Sequence, residues 1–488
     1  MQTGPELITV TNPCICVIRV LLLLLLTAAG SVSAQDPPRT VDPRKFGIEL
    51  APGLVVQSKG EAVATTDDDG QPAIGRVHVR VGDGAIVLLP DGQLVPRRAG
   101  QITPSARPFQ PLTKDALLKR LAAEFPSFKS RASNTAPYVY AYSASDEFAT
   151  ATSRILESML SDTKGLRAFA ENQRIDAHSP EIPLVVVMFR TEEEFQNYRR
   201  LPEGVVAYYH TLSNRVFMYE ESRLVQVRPD LAIRQSLSTI AHEGAHQILH
   251  NIGVQQRLSL WPMWLAEGLA EYLAPTSTGK GLTWKGTGQV NDMRMFELEQ
   301  YLKSRAAEQP SGEMIEHTVM APRLTSTGYA AAWSLTHYLA KAKRVEFAAY
   351  LRDVAALGPF EGVSSGTLSG ASTGAEPKGL VRENMALFTQ HFGEDLKEHE
   401  RRLVLHLKNL PYKDPFADFP HCVAMLTMPG QRPPRQASTF HSPSLAQKWI
   451  RDCVDALPAE QRGKTDSSIR VFANRAQAET FAREWLRK

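Results

Sequence analysis

The chain has 488 residues, 43% apolar and 22% charged, with 32 prolines and a net charge of +3. That length accommodates two or three domains, and the composition is that of a soluble globular protein with some long connections. No dense basic run recurs, so nothing points to nucleic acid, and none is expected as a partner.

The N-terminus departs from this average. Arg19 precedes Val20 and six leucines, Leu21 to Leu26, followed by Thr27-Ala28-Ala29-Gly30, Val32-Ser33-Ala34 and the polar, proline-rich Gln35-Asp36-Pro37-Pro38. A charge, a short apolar core and small residues before a cut after Ala34 have the order of a secretory signal. The core is short for a bilayer span. The expectation is an exported chain, periplasmic or extracellular, with residues 1–34 removed and no stable membrane span. The leading segment is long and carries few positive charges, so an uncleaved anchor is the alternative. Cys14 and Cys16 fall in the removed part. Cys422 and Cys453 remain, and in an oxidising compartment they either pair or stay as two buried thiols.

From Gly47 to about Arg98 the chain reads as short strands, with alternating Val77, Val79 and Val81, then Ile86 to Leu89, and Asp-Gly pairs at 69–70, 83–84 and 91–92. This predicts a small antiparallel β domain over residues 35–105, near the minimum size for independent stability, closed by a linker from Thr103 to Pro111. A helix over Lys114–Glu124 opens an α/β lobe spanning 106–230. Tyr138–Ser143 reads as a strand and Glu147–Ser161 as a helix. Pro183–Phe189 is a continuous apolar run, a central strand of its sheet. Thr191 and Glu194 form a capping-box pattern for a helix through Tyr198. Val205–Tyr209 and Arg215–Tyr219 are the next two strands. An exposed edge there can add an extended peptide as one more strand, which makes Tyr208, Tyr209 and Asn214 candidates for lining a cleft.

Leu231–His250 is a long, largely apolar helix ended by Gly253, and Pro262 starts another that runs to about Leu273. Residues 275–290 form a Gly/Thr-rich loop, and Asn291 and Arg294, also read as loop after the second helix, are further candidate substrate contacts. Phe296–Ala306, Gly328–Ala342, Glu383–Phe392 and Glu394–Leu407 read as helices, with a Gly/Ser/Thr-rich loop over Gly358–Gly379. Residues 231–410 thus make a mostly helical lobe. Past Pro411, proline-rich stretches set off an appendage, 411–488, whose Ser468–Phe472 and Gln477–Leu486 read as strand then helix.

The first long helix carries His242-Glu243-Gly244-Ala245-His246. Imidazoles four residues apart share one helical face, the spacing at which both can bind one zinc ion. Glu243 can take a proton from an attacking water. The second helix, Trp264-Leu265-Ala266-Glu267-Gly268-Leu269-Ala270-Glu271-Tyr272, brings two carboxylates one turn apart. Glu267, twenty-one residues past His246, is a plausible third ligand. Glu271 can accept the other ring N–H of a ligand histidine. The competing reading is a pair of capped, half-buried histidines and an exposed acidic face. Gly268 argues against the latter, because a glycine inside a helix costs ~1 kcal/mol unless something packs closely there.

These two stretches together resemble the gluzincin metallopeptidases, whose third ligand is a glutamate on the helix after the motif. They resemble more closely an exported bacterial peptidase-MA-like family, a domain of unknown function common in planctomycetes. The resemblance covers roughly residues 135 to 410. It implies an α+β fold with a thermolysin/aminopeptidase-like catalytic domain: a small mixed sheet with an edge strand, the H-E-x-x-H helix and a mostly helical second lobe. It implies His242, His246 and Glu267 as ligands of one Zn²⁺ per chain, Glu243 as base and Glu271 behind the ligands. Aminopeptidase-like members place a tyrosine at the start of a later helix. Tyr329, sixty-two residues past Glu267, looks like the match, while His337 and Tyr338 are weaker rivals. No Gly-x-Met-Glu-Asn-type segment precedes the motif, which turns the expectation from an aminopeptidase toward an endopeptidase acting on peptide or protein substrates. The alternatives are a zinc hydrolase of a non-peptide amide or ester, and a non-catalytic cell-envelope protein that keeps the fold. An intact Glu243 speaks against the last.

Overall fold

Valine alternation and Asp-Gly turns build the first sheet of the computed structural model, which describes residues 40–221, 229–277, 283–304, 310–362 and 378–487. The expected signal segment and most of the Gly358–Gly379 loop lie outside these residues. The first sheet contains β1 (Thr40–Val41), β2 (Gly53–Gln57), β3 (Ala62–Thr66), β4 (Pro72–Val81), β5 (Gly84–Leu88), β6 (Leu94–Arg98) and β7 (Thr103–Pro104). All its pairings are antiparallel, and β7 draws the start of the expected linker into the sheet. Between β4 and β5, Gly82 takes φ +56°, a conformation that a side chain would strain. This sheet does not stand alone. Val81, Ile86 and Leu94 pack against Ile182, Leu212, Leu258 and Phe360 from later in the chain, which supplies the apolar partner a sheet this small needs.

The second sheet is mixed. It comprises β8 (Lys129–Ala132), β9 (Tyr138–Tyr142), β10 (Leu184–Phe189), β11 (Ala207–His210) and β12 (Arg215–Tyr219), in the order β11-β12-β10-β9-β8. β10 runs parallel to both neighbours and is central, as its unbroken apolar sequence predicts. β11 pairs antiparallel with β12 and forms one edge. Successive side chains alternate between two cores. Val139, Ala141, Val185, Val187 and Phe217 face α1 (Lys114–Glu124) through Leu117 and Leu121. Tyr138, Tyr140, Leu184, Val186 and Met188 face the main core, which α2 (Asp146–Met159) and α3 (Leu166–Asn172) also enter. In α4 (Glu192–Tyr198) Thr191 caps the Glu194 N–H as expected, but the Glu194 carboxylate bonds Ser143 and the Arg190 N–H rather than closing a box.

The main core continues into α5 (Pro229–Asn251), α6 (Met263–Leu273), α7 (Asp292–Ser304), α8 (Glu313–Met320), α9 (Ser326–Ala342), α10 (Arg344–Ala355), α11 (Lys378–Phe392) and α12 (Leu396–Lys408). A short hairpin, β13 (Thr276–Ser277) with β14 (Thr283–Trp284), follows α6. One core therefore spans the sheet and the helices on either side of residue 230. No described helix is long and apolar enough to cross a membrane.

The last segment holds β15 (His421–Thr427), β16 (Arg435–Phe440), α13 (Pro443–Asp455), α14 (Ala459–Arg462), β17 (Asp466–Phe472) and α15 (Arg475–Arg487). β15 is the middle strand, and α13 and α15 contribute to apolar clusters that take alternate β15 residues. Cys422 is buried and Cys453 half-buried in one of these clusters, and both are free thiols, the second of the two alternatives that the sequence leaves open. The segment is tied to α7 by Arg475, which grips Glu299 and Asp414, and by the Phe296 and Phe416 rings.

Candidate metal centre

Two close helix contacts put the motif in place. A side chain at Gly244 would strike Leu156 of α2, so the glycine inside the motif lets α5 lie flat on that helix. A methyl group on Gly268 would come within 2.5 Å of the Ala332 carbonyl and the Thr336 hydroxyl of α9. Gly268 therefore marks the tight α6–α9 crossing, which is why a glycine is kept inside a helix. This crossing holds Glu267, Glu271 and Tyr329 beside α5.

Three donor atoms converge. His242 Nε2 lies 3.2 Å from His246 Nε2 and 3.1 Å from Glu267 Oε2, and His246 Nε2 lies 3.5 Å from the same oxygen. The edges of a tetrahedron whose bonds are those of zinc to nitrogen and oxygen are about 3.4 Å long. These are the His242, His246 and Glu267 side chains that together can hold a divalent metal ion. The three retain 12%, 14% and 17% side-chain exposure, whereas Glu271 keeps 4%.

Glu271 sits behind His242, with Oε1 3.2 Å from Nδ1. It is itself held by Asn291 Nδ2 at 2.9 Å and Arg294 Nη2 at 2.7 Å. Asn291 and Arg294, expected from the sequence as substrate contacts, both hold this carboxylate. Asn291 immediately precedes α7 and Arg294 lies in its first turn, where the sequence predicts loop, and their reach back to α6 is not visible in the sequence.

The electrostatics follow from burial and three carboxylates. Burial opposes the charged form of His242, but Glu267 and Glu271 overcome it and raise its pKa well above the usual value. Burial likewise works against ionised Glu267, yet His246 and His242 hold its pKa far below the usual range. Glu271 is held at about 2 against burial by Arg294 and His242. Glu243 differs: burial raises its pKa, reinforced by Glu267. Its Oε2 accepts the Tyr209 backbone N–H of β11 at 2.7 Å.

Tyr329 stands next to the cluster. Its ring centroid is 6.2 Å from that of His242, and burial together with Glu267 and Glu243 pushes its pKa up to about 12. His337 and Tyr338, its rivals, are buried among α9 packing contacts, with His337 Nδ1 2.9 Å from His406 Nε2.

The edge-strand residues divide by face. Tyr208 packs on the far side of the sheet, with its ring on Phe195 and Phe217. Tyr209 turns toward α5, but its ring stacks on His250 and its hydroxyl donates to Asn214 Oδ1 at 2.9 Å. Asn214 is buried and left-handed at φ +58°, and it also binds Asn251. None of these three side chains lies at the cluster; the Tyr209 backbone N–H bonds the neighbouring Glu243.

Residues 236–361 match the family model described as Protein of unknown function (DUF1570). The match carries the His242–His246 motif, α6 and Tyr329 but covers less than half of the chain, and its description names no activity. None of the curated proteins matches the chain.

Proposed function

We propose that this chain is an exported zinc metallopeptidase with a gluzincin-like, thermolysin/aminopeptidase-type catalytic arrangement. The observation that carries the reading is the convergence of His242, His246 and Glu267 with Glu243 one residue along the same helix. The donor set, two imidazoles and one carboxylate, suits zinc with an open position. When bound, the ion supplies Lewis acidity, acidifying a water and polarising a carbonyl.

The chain's own groups do the rest. Glu243 is held by the Tyr209 N–H through one oxygen, which leaves the other to take a proton from the attacking water and pass it to the leaving amine. Its raised pKa suits a proton carrier better than an ordinary exposed carboxylate. Tyr329, kept protonated by its surroundings, offers a hydroxyl to the oxygen that becomes negative in the tetrahedral intermediate. A peptide, rather than another amide or ester, is favoured by β11. This strand ends the sheet, and its Tyr209 N–H turns to Glu243, so the sheet edge and the base border the same space.

The test is a panel of peptides and non-peptide amides and esters, assayed with and without chelator on wild type and Glu243→Gln. Chelator-sensitive peptide cleavage lost in Glu243→Gln supports the reading. Cleavage confined to non-peptides moves the protein to another zinc hydrolase class. Stoichiometric zinc with no turnover on any substrate favours a binding protein.

A further inference from the structure

We infer that Arg294 is a positioning residue that couples two parts of the site: it holds Glu271, the partner of His242, and the ring of Tyr329 at the same time. The inference rests on the hydrolase reading above and deepens it. The edge of the guanidinium binds carboxylates, with Nη2 2.7 Å from Glu271 Oε1 and Nη1 2.8 Å from Glu297 Oε2. The same guanidinium lies over the Tyr329 ring, its carbon 5.3 Å from the ring centroid. Glu297 in turn accepts from the Ser326 hydroxyl at 3.1 Å, in the first turn of α9 and three residues before Tyr329. Arg294 thus belongs to a chain of contacts running from the metal-side histidine to the start of the tyrosine helix.

Arginine is suited to this and lysine is not. A planar fork can present two N–H edges to carboxylates while its face lies on an aromatic ring. An ammonium is a point charge that can serve Glu271 or the ring, but has no plane with which to fix both. Glu271 is nearly fully buried, so losing its guanidinium would leave a buried carboxylate with Asn291 and His242 as its remaining partners among the described residues. Residues that orient a metal ligand, as Glu271 does for His242, typically change metal affinity about 10–100-fold when replaced, and Arg294 acts through Glu271.

The test uses the full zinc-loaded chain as wild type, Arg294→Lys, Arg294→Gln, Tyr329→Phe and the Arg294→Lys/Tyr329→Phe double variant. Zinc affinity is read by competition with a chromophoric chelator. The Tyr329 environment is read by fluorine NMR of fluorotyrosine-labelled protein, its resonance assigned by loss in Tyr329→Phe. Zinc binding should weaken about 10-fold in Arg294→Lys and more in Arg294→Gln. The Tyr329 resonance should shift in both. On a cleaved substrate, kcat should fall about 10–100-fold in Arg294→Lys with little change in KM, and the double variant should be barely slower than Tyr329→Phe alone. Unchanged zinc affinity in both arginine variants, an unmoved Tyr329 resonance, or fully multiplicative kcat losses in the double variant would overturn the coupling. If wild type turns over no substrate, the hydrolase reading falls, and the zinc and fluorine measurements still decide the role of Arg294.

Discussion

Glu271 Oε1 lies 3.2 Å from His242 Nδ1, on the opposite side of the imidazole from the Nε2 that meets His246 and Glu267. A proton on Nδ1 facing this carboxylate leaves Nε2 with a lone pair, the tautomer a metal needs. Glu271→Gln keeps a polar group of the same shape but removes the charge. Zinc affinity is expected to fall about 10–100-fold, read by chelator competition. Wild-type affinity in this variant would mean that the carboxylate merely pairs with Arg294.

Glu243 is outside the donor triangle, so Glu243→Gln should retain wild-type zinc content. Turnover should fall by about 10²–10⁴-fold, the usual scale for removing a positioned general base. Parallel loss of zinc and activity would instead make Glu243 part of the binding shell.

Gly268 gives a prediction about packing. An added methyl group meets the backbone of α9 at Ala332, which cannot swing aside as a flexible side chain would. Gly268→Ala should therefore destabilise the fold by about 1–3 kcal/mol, as overpacked sites do, despite alanine's better helix propensity. Thermal unfolding of the metal-free protein checks this. A gain in stability would show that α6 and α9 can separate at no cost.

Three histidines away from the donor cluster set an acid limit. Burial lowers the pKa of His78, His210 and His337 to about 4 in each case, with Arg257 also repelling charge on His78 and His210, and His406 repelling charge on His337. In the unfolded chain they titrate near their ordinary value of about 6.5. The unfolded state then binds more protons between these values, so their contribution is fully present above about pH 6.5 and is lost as pH falls through about 4. The unfolding midpoint of the metal-free chain should decline steadily from about pH 7 to 5, and His78→Gln should flatten part of that slope. A midpoint independent of pH over this range would contradict the neutral buried state.

Much of this architecture is legible in the sequence because local pattern and tertiary need agree. β10 is apolar throughout because both faces are covered, and α5 and α6 carry the donor spacing within single helices. Gly268 is readable because its cost inside a helix demands a close neighbour. The less legible features depend on which face an element turns inward. Tyr208 and Tyr209 are adjacent and chemically alike, and only the packing of α5 against one face tells them apart. Asn291 and Arg294 bond to a residue some twenty positions earlier, a relation no periodicity encodes. The strands β15 and β16 are not legible, because each is a short run between prolines and β16 is mostly polar, although β15 is almost wholly buried.

The central claim is that His242, His246 and Glu267 form one metal site, and the zinc content of purified wild type and Glu267→Ala, measured by elemental analysis after zinc loading and extensive dialysis, tests it most directly. One zinc per chain in wild type, with most of it lost from the variant, is the result expected for a three-donor site with a carboxylate arm. No retained zinc in wild type, or equal retention in both proteins, would contradict it.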